Sequence, residues 1–136
     1  MTQMTDTDTP KPASARKVLC IEDEHFISEL YVRALSKEGY KVDVIADGKE
    51  ALEVAEKNEY DIILLDLMVP NFSGIEILRV LRDPARVPPI KAKIIVTTNL
   101  EQREDVRADI EKQADAYVVK AELTPHELAD LVNHIQ

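Results

Sequence analysis

From Lys17 onward, short apolar runs rich in β-branched residues alternate with longer stretches whose apolar residues recur every three or four positions. The short runs are KVLCI, KVDVI, DIILLD, KIIVTT and AYVVK, and each predicts a strand. IILL and KIIV show no polar alternation, as strands covered on both faces should not. The intervening stretches predict helices: one ending at Glu38 and closed by Gly39, then Gly48 to Lys57, Gly74 to Arg82, Glu101 to Lys112 and Pro125 to Ile135. Ile27, Leu30 and Ala34 share one helical face, as do Leu128, Leu131, Val132 and Ile135. Thr124-Pro125-His126-Glu127 opens the last helix with a capping box and a proline at the first helical position, where its missing N–H costs nothing. The stretch 101–112 has only Val106 and Ile110 as apolar markers among many charges, which describes a helix that is marginal alone or faces a partner. Five strand–helix units without a sequence repeat allow parallel pairing through right-handed crossovers, and so predict a doubly wound α/β fold with helices on both faces of a five-stranded parallel sheet.

Composition adds mainly exclusions. A chain of 136 residues with 45% hydrophobic and 32% charged content suits one core. Residues 1–15 are rich in Thr, Asp and Pro, which predicts a flexible tail ahead of a domain at 16–136. No apolar run approaches membrane-spanning length and the N-terminus lacks the apolar stretch of a secretory signal, so a cytoplasmic location is expected. The net charge of −9 opposes direct binding to nucleic acid or to anionic membranes. Gly39, Gly48 and Gly74 stand far apart, so neither a dinucleotide fingerprint nor a Gly-rich phosphate loop can be written. Cys20, the sole cysteine, lies within VLCI and reads as a buried thiol.

The chemistry gathers at the strand ends. In a sheet of order 2-1-3-4-5, ligands collect outside the carboxyl ends of the first and third strands. The first strand ends in Glu22-Asp23-Glu24, and the third in Asp66 just before a Pro- and Gly-containing loop, VPNFSG. A cluster of carboxylates is repulsive without a cation, and an all-oxygen donor set favours a hard ion such as Mg²⁺. The fourth strand ends at Thr97-Thr98 and the fifth at Lys120, adding hydroxyls and an ammonium to the same edge. Such a site is close to neutral before a phosphoryl group arrives, and a carboxylate can take that group as an acyl phosphate. Asp66 therefore reads as an exposed nucleophile.

VLCIEDE, DGKEAL, DIILLDLMVPNFSG, IIVTT and YVVK, in this order and spacing over about residues 17–136, resemble the receiver domain of bacterial two-component response regulators. The resemblance implies a stand-alone, chemotaxis-regulator-like domain of flavodoxin-like topology. It makes Asp66 the phosphoacceptor, Glu22 and Asp23 with Asp66 the Mg²⁺ ligands, and the Met68 backbone carbonyl a further ligand. Thr97 would be the hydroxyl that turns toward the phosphate, Lys120 its cationic partner, and Tyr117 the switch aromatic that moves inward. A histidine kinase or phosphotransfer protein would supply the phosphoryl group, meeting the start of the first helix around His25 to Ile27. Output would pass to a partner through the fourth helix, fifth strand and fifth helix, where Arg103, Arg107 and Tyr117 lie; a phosphate sink or a fragment of a longer regulator fits equally.

The chain departs from the family pattern at three places. Glu22 lengthens one arm of the acidic pair, Gln113 stands where a glycine often closes the fourth helix, and Ala121 replaces the usual proline after the lysine. Without proline a cis bond at Lys120–Ala121 would cost about 2.5–4 kcal/mol, so a trans bond is expected. Met68 and Asn99 occupy positions that in the family tune access of water to the acyl phosphate, and a thioether at 68 implies a long-lived phosphoryl state. Two other classes stand beside the switch. One is a pseudo-receiver that binds partners regardless of phosphorylation, to which Ala121 lends weight. The other is an aspartyl-phosphate hydrolase, disfavoured because Met68 stands where a second acid is needed.

Overall fold

The structure, a computed structural model, describes residues 16–135, so the tail expected over 1–15 lies outside the described residues. Five strands, β1 (Lys17–Ile21), β2 (Lys41–Ile45), β3 (Ile62–Asp66), β4 (Lys93–Thr98) and β5 (Ala116–Val119), form one parallel sheet. Their spatial order is β2-β1-β3-β4-β5. The helices are α1 (His25–Lys37), α2 (Gly48–Ala55), α3 (Gly74–Leu81), α4 (Glu104–Gln113) and α5 (Pro125–Ile135). No helix among the described residues is long and apolar enough to cross a membrane.

The period-two alternation of a strand explains how an unbroken apolar run serves two cores. Val18, Cys20, Ile62, Leu64 and Ile95 pack with Leu35 of α1 and with Leu128 and Val132 of α5. Leu19, Ile21, Ile63, Leu65, Ile94 and Val96 point the other way, onto Ala51 of α2, Ile77 and Leu78 of α3 and Ile110 of α4. All five residues of β3 are buried, whereas β2 is the more exposed edge. Burial in apolar surroundings pushes the Cys20 thiol up to about 12, which makes it inert.

Element ends follow local chemistry. Gly39 adopts φ 94°, where the Cβ of any other residue would be strained, and closes α1. Ser73 and Glu76 form a capping box at the start of α3. The helix expected from Glu101 begins three residues later. The backbone N–H of Gln102 instead donates to the Tyr117 hydroxyl (3.1 Å), and Arg103 is the N-cap residue, at φ −57° and ψ 152°, without a side-chain capping bond. At the other end, Ala114 leaves α4 with φ −95°, so no left-handed glycine is needed. The Arg82 guanidinium takes up a carbonyl at that end, donating from Nε to Gln113 O at 3.1 Å. The same guanidinium binds Ile90 O, Ala92 O and the Asp115 carboxylate, tying the long α3–β4 connection to the base of β5.

Candidate functional site

The parallel register brings the candidate residues to one edge. Asp66 is paired with Thr97 across β3 and β4. Ile21 is paired with Leu65, so Glu22 is set beside Asp66. Val119 is opposite Thr98, which places Lys120 one step beyond the sheet. The Lys120–Ala121 bond is trans, and Lys120–Glu122 forms a short 3₁₀ turn in place of a cis corner.

From that turn Lys120 reaches inward. Its Nζ donates to Glu22 Oε1 at 2.6 Å and lies 3.2 Å from Asp66 Oδ2. Glu22 and Asp66 are almost fully buried, at 2% and 1% exposure. The expectation of an exposed Asp66 is thus corrected: the strand end is covered by the Lys120 side chain, itself 6% exposed. One ammonium is shared by two buried carboxylates. Burial first, and then the charge of Asp66, push Glu22 up to about 7 against the pull of Lys120. Burial works to lower the Lys120 pKa, but its hydrogen bond to Glu22 and the charge of Asp66 outweigh it and hold the group above its ordinary range. The two directions agree, since one cation cannot satisfy both anions.

Asp23 remains exposed, yet carboxylate oxygens of Glu22, Asp23 and Asp66 lie within 4.8 Å of one another. Two acids underneath and one at the mouth, short of positive charge and offering only oxygen, fit a hard divalent ion that keeps part of its water shell. Met68 contributes its backbone N–H, which donates to Asp66 Oδ1 at 3.1 Å, while its side chain points out to solvent. The loop carrying it is braced from two sides. A Cβ on Gly74 would come within 2.6 Å of Leu67 Cα, so only glycine lets α3 start so close to the end of β3. Gly48 N–H donates to Pro70 O at 2.9 Å. Asn71, at φ 72°, donates to the Asp47 side chain that caps α2.

Thr97 is buried at the site, whereas Tyr117 is only partly so. The Tyr117 hydroxyl accepts from Gln102 N–H and donates to Glu101 Oε1 (3.3 Å). Arg107 covers its ring at 4.6 Å, and also pairs with Glu101 at 3.0 Å. Gln102 Nε2 in turn donates to Thr98 Oγ1 at 3.3 Å, connecting this cluster to the end of β4. His25 and His126 are exposed beside acids one helical turn on, as befits surface residues.

The sequence alone did not show what Glu24 does. Its Oε1 stands 3.8 Å from Lys120 Nζ and accepts from Asn99 Nδ2 at 3.5 Å. Its backbone N–H donates to Glu22 Oε2 at 3.0 Å. The EDE triplet was the available signal, but no spacing rule tells which of three adjacent acids turns toward a lysine 96 positions away.

A family model described as the response regulator receiver domain matches residues 18–133. Response regulator ArlR of Staphylococcus saprophyticus is 38% identical over 120 residues, covering 88% of this chain and 50% of the relative. ArlR of Staphylococcus epidermidis is 34% identical over 119 residues, with the same shares covered. The chain therefore spans about half the length of the curated relatives it matches. The receiver domain of the Francisella response regulator 1452 superposes with a TM-score of 0.76 at 30% identity, over 88% of this chain and 95% of that one. TrrA of Thermotoga maritima, solved in complex with Mg²⁺-BeF, gives 0.73 at 33%, over 89% and 99%. With its 2-1-3-4-5 sheet and its acid–lysine edge, the chain belongs to the response regulator receiver domain family of two-component systems.

Proposed function

We propose that this chain is a phosphorylation-dependent switch in which Asp66 accepts a phosphoryl group from a phosphohistidine on a kinase or phosphotransfer protein. The observation that carries the reading is the buried Glu22–Lys120–Asp66 arrangement, with Lys120 Nζ 2.6 and 3.2 Å from the two carboxylates and Asp23 at the mouth. Glu22, Asp23, Asp66 and the Met68 carbonyl would hold Mg²⁺, which supplies positive charge for the incoming phosphate oxygens. An Asp66 oxygen attacks phosphorus, the P–N bond breaks, and the imidazole leaves with the bonding pair and is reprotonated by solvent. Lys120 neutralises a phosphate oxygen as its hold on Asp66 loosens. Burial keeps bulk water away from the resulting acyl phosphate.

Thr97 would turn its hydroxyl to the phosphate, and Tyr117 would follow inward, breaking its hydrogen bonds with Gln102 and Glu101. The readout surface is then α4, β5 and α5, with Arg103 and Arg107 on it. The donor would dock at the start of α1, where Phe26 is strongly exposed. A cytoplasmic location and an unidentified downstream protein complete the reading.

A pseudo-receiver drew its weight from Ala121, but Lys120 contacts both carboxylates through a trans bond, which favours the phosphorylatable reading. A hydrolase is disfavoured by Met68, whose thioether cannot take a proton from water. The test is incubation with Mg²⁺ and a small phosphodonor followed by intact-mass measurement. A gain of one phosphoryl group in the parent, absent in Asp66→Asn, supports the switch; an unmodified parent favours the pseudo-receiver.

A further inference from the structure

Glu24 lies at the mouth of the site without being one of its buried acids. As the N-cap residue of α1 it makes no side-chain capping bond, so its carboxylate is not spent on the helix. It faces across the opening instead, 3.8 Å from Lys120 Nζ and 3.5 Å from Asn99 Nδ2. The bridge joins the β1–α1 loop to the β4–α4 loop beside the Lys120 ammonium that contacts Asp66. Lys120 Nζ is also 3.2 Å from Asp66 Oδ2, so with the 3.2 and 3.8 Å legs laid end to end, Glu24 Oε1 is at most about 7 Å from the attacking carboxylate.

Resting on the phosphoacceptor reading, we infer that Glu24 is a specificity-determining residue: its charge, clasped between Lys120 and Asn99, discriminates against small, highly anionic phosphodonors. A donor docked on the protein surface brings a nearly neutral imidazole leaving group and the binding energy of its interface, and can displace the clasp. A free dianion such as acetyl phosphate is drawn by the same Lys120 and Mg²⁺ but must pass a half-exposed carboxylate with no docking interface to offset that local repulsion. At about 7 Å and a dielectric near that of water, one added donor charge slows approach by about threefold, and by more where the walls exclude solvent. Repulsion of this kind is screened by salt, whereas a purely steric obstacle is not.

The test compares two donors that differ by one negative charge. Acetyl phosphate is a dianion at pH 7.5; Asp66 attack breaks the P–O bond and releases acetate. Phosphoramidate reacts as a singly negative zwitterion, losing ammonia as the P–N bond breaks, with no further proton required. Rates for the parent, Glu24→Gln, Glu24→Ala and Glu24→Asp are read by intact mass at saturating Mg²⁺, at low and high salt. Circular dichroism confirms that the variants are folded. In Glu24→Gln and Glu24→Ala the ratio of the acetyl phosphate rate to the phosphoramidate rate rises about threefold to tenfold at low salt, and the increase shrinks at high salt. Glu24→Asp, which keeps the charge, stays near the parent ratio. If both donors change by the same factor, or neither changes while Asp66 is still modified, the inference is overturned. A parent that takes a phosphoryl group from neither donor overturns the phosphoacceptor reading itself.

Discussion

Replacing Lys120 by methionine keeps most of the side-chain volume and removes the charge that two buried carboxylates share. Lys120 Nζ is 2.6 Å from Glu22 Oε1 and 3.2 Å from Asp66 Oδ2, and both acids are 1% exposed in their side chains. Stranding buried charges in this way costs about 3–5 kcal/mol when no escape exists. Here one exists: Glu22 can take up a proton. Burial and the Asp66 charge already raise its pKa from 4.5 to about 7, and loss of the ammonium raises it further. A carboxyl whose folded pKa lies above its unfolded value binds more protons when folded. Its contribution is therefore fully present below the unfolded pKa and is lost as pH rises through the folded one. For the parent without metal the window is about pH 4.5 to 7; for Lys120→Met it extends to higher pH, at about 1.4 kcal/mol per unit of added shift. Destabilisation by the mutation should be about 1–2 kcal/mol at pH 6 and about 3–5 kcal/mol at pH 8.5. Because the chain has no tryptophan, urea unfolding is followed by far-UV circular dichroism, with chelator present. Magnesium should restore part of the loss at pH 8.5 by binding the native state alone. An equal loss at both pH values, or none, would refute the shared-ammonium reasoning.

Three further outcomes test other parts of the structure. Arg82→Ala removes donors from the carbonyls of Gln113, Ile90 and Ala92 and from the Asp115 carboxylate. It should lower unfolding stability by about 2–4 kcal/mol in urea titrations without changing the site's preference among phosphodonors. Gly74→Ala forces a methyl to within 2.6 Å of Leu67 Cα; calorimetry should show weaker Mg²⁺ binding, together with a stability loss of about 1–3 kcal/mol. In Met68→Asn an exposed thioether becomes a group that can orient water, so the phosphoryl state should decay severalfold faster than in the parent. An unchanged or slower decay counts against a role for position 68.

Element sequence was legible because strands buried on both faces leave unbroken apolar runs, the order of the strands came with the family resemblance, and the site could be placed because chemistry in such sheets collects at the carboxyl ends. The identities of Glu22, Asp23, Asp66, Thr97 and Lys120 followed from that rule, and the family resemblance sharpened their expected roles. The burial of Asp66 was not legible. It depends on the Lys120 side chain folding back from a 3₁₀ turn, a contact between residues 54 positions apart with no local signature. The Arg82 clasp and the Glu24–Asn99 bridge are long-range in the same sense, since a guanidinium or carboxylate in sequence does not announce which loop will pass within reach. The late start of α4 shows a tertiary contact overriding local pattern: Gln102 N–H serves Tyr117 rather than a helical turn. Charge alone made that helix marginal, and its first turn was the part most easily taken by a competitor.

The chemistry itself can be caught on the chain. After reaction with a small phosphodonor and Mg²⁺, borohydride reduction converts an aspartyl phosphate to homoserine, and tandem mass spectrometry locates the converted residue. Homoserine at position 66, dependent on Mg²⁺ and lost in Lys120→Met or much reduced there, is the expected result. A phosphoryl group on Thr97, on a histidine or on an acid other than Asp66 would contradict it.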